Sequence, residues 1–159
     1  MSMDATSSLH PIHTETHGLE GTFEADLLES GRLDPAVAPR AKLELAVRLL
    51  SSGNPFYDRE LQRRTEARKF PFISGQLTSM KQIDGEGRYL VAGDVTFRGA
   101  TRSIEGEMTL TTPDDRTVCL EGEHTFDIRD FGMQPPRILT LRVHPEVAVR
   151  VTIFASRED

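Results

Sequence analysis

Apolar and polar residues alternate with a period of two over most of the chain, as in strands that bury one face and wet the other. Over 41–49, Ala41, Leu43, Leu45, Val47 and Leu49 share one face, while Lys42, Glu44 and Arg48 take the other. Over 88–98, Tyr89, Val91, Gly93, Val95 and Phe97 lie opposite Asp94, Thr96 and Arg98. Gly99 then marks a turn, and 101–112 returns with Ile104, Gly106, Met108 and Leu110 on a single face, so the two segments form a hairpin. Residues 116–128 align Val118, Leu120, Gly122, His124, Phe126 and Ile128, and 147–155 align Val147, Val149, Val151 and Ile153. Less regular alternation runs through Leu19, Gly21, Phe23, Ala25 and Leu27, and through Ile73, Gly75, Leu77 and Ser79.

These segments predict an all-β fold, an antiparallel barrel of about eight strands. One short helix is expected at about 57–69, with Asp58 as its N-cap and Pro71 as its stop. Glycines recur on the inward face at positions 21, 75, 93, 106 and 122. In a closing sheet such positions permit sharp coiling and leave interior volume that a side chain would fill; the alternative is that they only mark bulges.

A chain of 159 residues fits one domain. Residues 1–16 are expected to form a flexible tail and 17–159 the barrel. No apolar run approaches the roughly 20 residues of a membrane-spanning helix. The amino terminus lacks a basic start followed by an apolar block, which gives an expectation of a cytoplasmic protein, and one cysteine, Cys119, agrees with a reducing compartment. A net charge of −6 argues against nucleic acid as a partner. The basic cluster Arg59, Arg63, Arg64, Arg68 and Lys69 is interrupted by Glu60 and Glu66 and reads as a solvated helix face.

Four motifs in order carry a family resemblance: HGLEGTF at 17–23, ARKFPFI at 67–73, GDVTFRGATRSIEGEMTL at 93–110 and DIRDFGM at 127–133. Together they resemble the YceI-like proteins, whose fold is a lipocalin-like antiparallel barrel. The resemblance implies non-catalytic binding of a long apolar ligand, a polyisoprenoid, an isoprenoid quinone or a fatty-acid derivative, in a homodimer. Two departures stand out. Many members of that family are exported, whereas no export signal is read here, and the first strand is short and poor in apolar residues.

A sleeve for such a ligand would be lined by Phe23, Leu43, Leu45, Val47, Val91, Val95, Phe97, Met108, Leu110 and Phe126. Phe56, Phe70, Phe131 and Met133, in connecting segments, are candidates for its mouth. For each of them plain core packing is the alternative. His124 falls among these inward residues, either as a satisfied core histidine or as a polar anchor touching the ligand.

Other chemistry is sparse. His10, His13 and His17 have a spacing that could draw a metal ion, yet no carboxylate or thiolate completes a site, and no metal or cofactor is assigned. Asp127 and Asp130 read as turn residues rather than an acid–base pair, and Cys119 as a passive thiol. No nucleophile elbow, phosphate loop or dinucleotide fingerprint occurs. Two other functions compete with carriage: a structural or dimerisation module whose barrel is filled by its own side chains, and a stress factor modifying a bound lipid or quinone through His124.

Overall fold

Alternation along the chain becomes one antiparallel sheet. The structure, a computed structural model, describes the backbone of residues 2–7, 11–15, 18–30, 32–83, 86–133, 137–138 and 141–156, and the side chains of 18–30, 32–83, 86–133 and 145–156. The strands are β1 (Ser2–Ser7), β2 (Pro11–Glu15), β3 (Leu19–Glu24), β4 (Arg40–Ala46), β5 (Phe72–Gln82), β6 (Arg88–Phe97), β7 (Ala100–Asp114), β8 (Thr117–Asp127), β9 (Arg137–Ile138) and β10 (Leu141–Ser156), with one helix, α1 (Pro55–Arg64), between β4 and β5. Seven of them form a meander in the order β3-β4-β5-β6-β7-β8-β10. Residues 1–16, expected as a tail, supply β1 and β2: β1 pairs with β10 from Ser2↔Arg150 to Ser7↔Val143, and β2 pairs with β1.

The sheet curls strongly into a half-barrel. Phe23 of β3 and Ile153 of β10, at opposite ends of the meander, pack against the same buried cluster of Leu33, Tyr89, Leu110 and Leu120. The two ends of the meander thus face one another, although β1 covers β10 as far as Arg150, and among the described residues no ladder joins β3 to β10. No helix among those residues is long and apolar enough to cross a membrane.

Three local expectations are corrected. The helix spans Pro55–Arg64 rather than 57–69, and its N-cap is Asn54, whose side chain accepts from the Phe56 N–H at 2.9 Å. Proline fits the first helical position because no donor is needed there and its φ is already helical. Asp58 instead ties down the preceding loop, accepting from the Ser52 N–H at 2.8 Å and the Ser52 hydroxyl at 2.6 Å. The strand expected over 41–49 stops at Ala46; Val47–Leu49 is a 3-10 turn whose Val47 N–H donates to the Pro71 carbonyl at 2.9 Å. In β5 the register shifts between Leu77 and Ser79, so the inward position passes from Ser79 to Met80, which pairs opposite Val91.

One end of the half-barrel is sealed by the loop between β3 and β4. It drops Leu33 among Tyr89, Leu110 and Leu120, and the Leu33 N–H donates to the Tyr89 hydroxyl at 3.0 Å. Tyr89 is 1% exposed, so water cannot replace that bond. Tyr89→Phe, which strands a buried donor while keeping the ring, is expected to lower stability by about 1–3 kcal/mol. Tyr89→Ala should lose about 3–5 kcal/mol, as ring deletions in cores do. Urea midpoints at constant m-value test both, and an unchanged Tyr89→Phe midpoint would show the bond to be dispensable.

Candidate functional site

The inward face encloses a cavity of about 360 Å³ whose wall is almost wholly apolar and draws on all seven strands of the meander. Eleven residues expected in the sleeve or mouth do line it: Phe23, Leu43, Leu45, Val91, Val95, Phe97, Met108, His124, Phe126, Phe131 and Met133. Four do not. Leu110 lies below the cavity, buried in the floor with Tyr89. Val47, 0% exposed, is consumed by the 3-10 turn after β4. Phe70 packs outside on the β6–β7 turn, where a Cβ at Gly99 would come 3.1 Å from its ring. Phe56 is 53% exposed on α1, with its ring against Tyr57.

Several wall residues were absent from the expected set. Ile73, Leu77 and Ile104, with Val147, Val149, Val151 and Ile153 of β10, were legible as inward by parity alone. Met80 was hidden by the bulge, while Leu50, Leu61 and Thr65 reach the cavity from the β4–β5 connection, which no strand period announces. Thr65 is buried, and its hydroxyl is spent on the Leu61 carbonyl at 2.7 Å.

Two of the inward glycines open the cavity. A Cβ at Gly75 would meet nothing within 4 Å, and one at Gly106 only the His124 Nδ1 at 3.7 Å. At Gly21, Gly93 and Gly122 neighbouring atoms already stand closer than 3.0 Å to such a Cβ, so there the missing side chain permits close approach rather than volume.

At the helix end a chain of rings closes the wall. His124 meets Phe126 edge-on at 4.6 Å, Phe126 lies 6.3 Å from Phe131, and Phe131 lies 5.7 Å from Phe97. Phe131 is turned inward by the 3-10 turn Ile128–Phe131, which Asp127 caps and Gly132 ends at φ 75°. Asp127 accepts from the Arg129 N–H at 2.9 Å, and the Arg129 guanidinium holds its carboxyl below the usual carboxylate range, so it stays ionised as a cap. Arg98 clamps the turn from across the mouth: it donates to the Phe131 carbonyl at 3.2 Å and pairs with Glu66 at 2.8 Å.

Beside the cavity, a wider polar-rimmed trough of about 1680 Å³ runs along the seam between β3 and residues 150–156. Leu19, Phe23, Leu43 and Ile153 line both spaces, so the cavity wall continues into the seam. Cys119, which strand parity sets on the face opposite Leu120 and Phe126, is buried, opposite Thr111 and Phe154 in the ladders. Among the described residues no group of three His, Cys, Asp or Glu side chains could hold a metal ion; the His10, His13 and His17 side chains lie outside the described residues.

The sequence profile of the YceI-like domain matches residues 4–155. No curated protein matches the chain. Among solved structures it is similar to BcnA of Burkholderia cenocepacia, with 17% identity and a TM-score of 0.79 over 97% of this chain and 95% of that one. It is similar to the YceI protein of Campylobacter jejuni at 13% identity and a TM-score of 0.74, covering 93% and 86%. A polyisoprenoid binding domain from Saccharophagus degradans aligns at 8% identity and a TM-score of 0.72, covering 96% and 91%. Likenesses at these identities show a shared fold.

Arg98 sits at φ 52° in the β6–β7 turn, a left-handed conformation that glycine adopts without strain and other residues do not. Arg98→Ala keeps the strain and loses the clamp, whereas Arg98→Gly loses the clamp and relieves the strain. The glycine variant is therefore expected to be the more stable of the two by about 1 kcal/mol. Thermal or urea unfolding of the pair reads this directly; equal stability would mean the turn carries no strain.

Proposed function

The chain belongs to the YceI-like domain family, and from that premise we propose that it binds a long apolar ligand, a polyisoprenoid, an isoprenoid quinone or a fatty-acid derivative, inside the curled sheet and does no chemistry on it. The observation that carries this reading is the cavity itself, a space of about 360 Å³ with an almost wholly apolar wall. A barrel serving only as a structural module would fill that space with its own side chains. Gly75 does the opposite, leaving open room where a side chain would fit.

The polyisoprenoid binding domain from Saccharophagus degradans, which shares the fold, supports the choice of ligand class. So does the chemistry of the wall: an apolar chain needs no hydrogen bonds, and each buried methylene contributes about 0.8 kcal/mol. The cavity has room for about a dozen water-sized groups at roughly 30 Å³ each. A longer chain would continue into the seam over Leu19, Phe23, Leu43 and Ile153. Family resemblance also supports a homodimer, which light scattering tests; a monomeric mass removes it.

Protein purified gently and analysed by native mass spectrometry should carry a lipid of defined mass, released on denaturing extraction, or take up added polyprenol in a one-to-one ratio. Gly75→Leu, which places a side chain in the open space, is expected to lower that uptake at least about tenfold, a loss of roughly 1.4 kcal/mol, with thermal stability unchanged or raised. A clean apo mass after incubation with polyprenols, quinones and fatty acids would turn the reading toward a structural role. Undiminished uptake by Gly75→Leu would move the ligand out of this cavity.

A further inference from the structure

Among the described residues the cavity wall presents one imidazole, and none of them answers it. His124 projects from β8 with the same parity as Leu120 and Phe126, and it lines the cavity. Its ladder partner on β10 is Val149. The register that pairs Met108 with Gly122 sets Gly106 beside it on β7, where even an added Cβ would stop 3.7 Å from Nδ1. Phe126 fixes the ring edge-on at 4.6 Å. Of the polar neighbours in these strands, Glu107 and Glu123 border the cavity but pair their exposed carboxylates with Arg88 and Arg150, and Glu105 and Thr125 are exposed, by parity on the outer face. Among the described residues none hydrogen-bonds His124.

A polar group in an apolar wall is destabilising unless something pairs with it. In its neutral form an imidazole offers one donor and one acceptor. We propose that His124 is a specificity-determining residue that hydrogen-bonds a hydroxyl or carbonyl oxygen on the ligand, so that the site takes an oxygen-bearing apolar chain in preference to a plain hydrocarbon. The assignment rests on the lipid-binding reading above and adds where the oxygen lies. From Leu120 at the floor to His124 is four strand residues, about 13 Å at roughly 3.3 Å per residue. The apolar tail therefore fills the lower cavity toward Tyr89, and the oxygen sits beside Gly106 with Phe126 behind it. The open flank at Gly106 is what lets a ligand atom reach the ring nitrogen.

The test compares farnesol with the hydrocarbon that carries hydrogen in place of its hydroxyl, each displacing a fluorescent fatty-acid probe from the full chain. The unsubstituted protein should bind farnesol about tenfold more tightly, the scale of one hydrogen bond. In His124→Phe the preference should vanish or reverse toward the hydrocarbon, because the farnesol hydroxyl is then buried without a partner, with the hydrocarbon held at least as well as before. His124→Gln, which restores a donor and an acceptor, should recover part of the preference. The ring nitrogen resonances of His124 should move with farnesol and not with the hydrocarbon. Equal binding of both compounds by the unsubstituted protein, or a preference that persists in His124→Phe, overturns the role of His124 while leaving lipid binding intact. Binding of neither compound overturns the lipid-binding reading and this one with it.

Discussion

Where Gly21 lies beside β4, a Cβ would come within 2.1 Å of the Lys42 carbonyl oxygen, and at Gly93 within 2.8 Å of the Gln76 carbonyl oxygen. At both places neighbouring strands press backbone on backbone. That contact lets an antiparallel ladder coil tightly enough to bring β3 round to face β10. Everything else depends on the curl. A flat version of the same meander would leave Leu43, Leu45, Val91, Val95 and Met108 on an open apolar face, a surface that soluble monomers rarely tolerate. Curled, those positions become the wall of an interior.

The two ends of that interior are held by different chemistry. At the floor a loop side chain, Leu33, enters the core, and its own backbone N–H is met by Tyr89, so the closure is apolar and fully buried. At the helix end the closure is a ring wall backed by charge: Arg98 reaches the Phe131 carbonyl and the exposed Glu66 carboxylate together. Partly exposed ion pairs contribute little to stability and yield more readily than a packed core. On the proposed lipid-binding reading the asymmetry makes the floor a fixed stop for the end of a chain and leaves the helix end and the seam as the places where the structure can give.

Period two is readable without any knowledge of the third dimension, which is why the inward faces of β4, β6, β7, β8 and β10 were legible as they stand. The misreadings within the strands share one cause, contacts made by residues far apart in the chain. Val47 continues the alternation of β4 on paper, but its N–H is claimed by Pro71, and the strand ends one residue earlier. Ser79 keeps the parity of β5 until the bulge hands the position to Met80. Leu110 has the right parity and the wrong depth, because only the folded loop that delivers Leu33 defines where the floor lies. Phe56 and Phe70 were assigned to the mouth on residue type, and type alone does not say which side of a connection faces in. Phe131 and Met133, assigned on the same ground, do face in, because a capped turn ending at Gly132 rotates them there.

An apolar wall of this size sets a limit on what hydrophobic burial can decide. About a dozen carbon-sized groups at roughly 0.8 kcal/mol each is on the order of 10 kcal/mol, within the range that lost translational and rotational freedom takes back on association. The wall by itself therefore gives modest affinity and almost no choice between chains of similar girth. Affinity has to come from length, as a chain extends from the cavity into the seam, and choice has to come from a polar contact. A protein that must release its ligand gains from that division. On the proposed reading, length sets how long the ligand stays, through area that can be exposed stepwise at the seam, while His124, in mid-wall between Gly106 and Val149, sets which chain is worth holding.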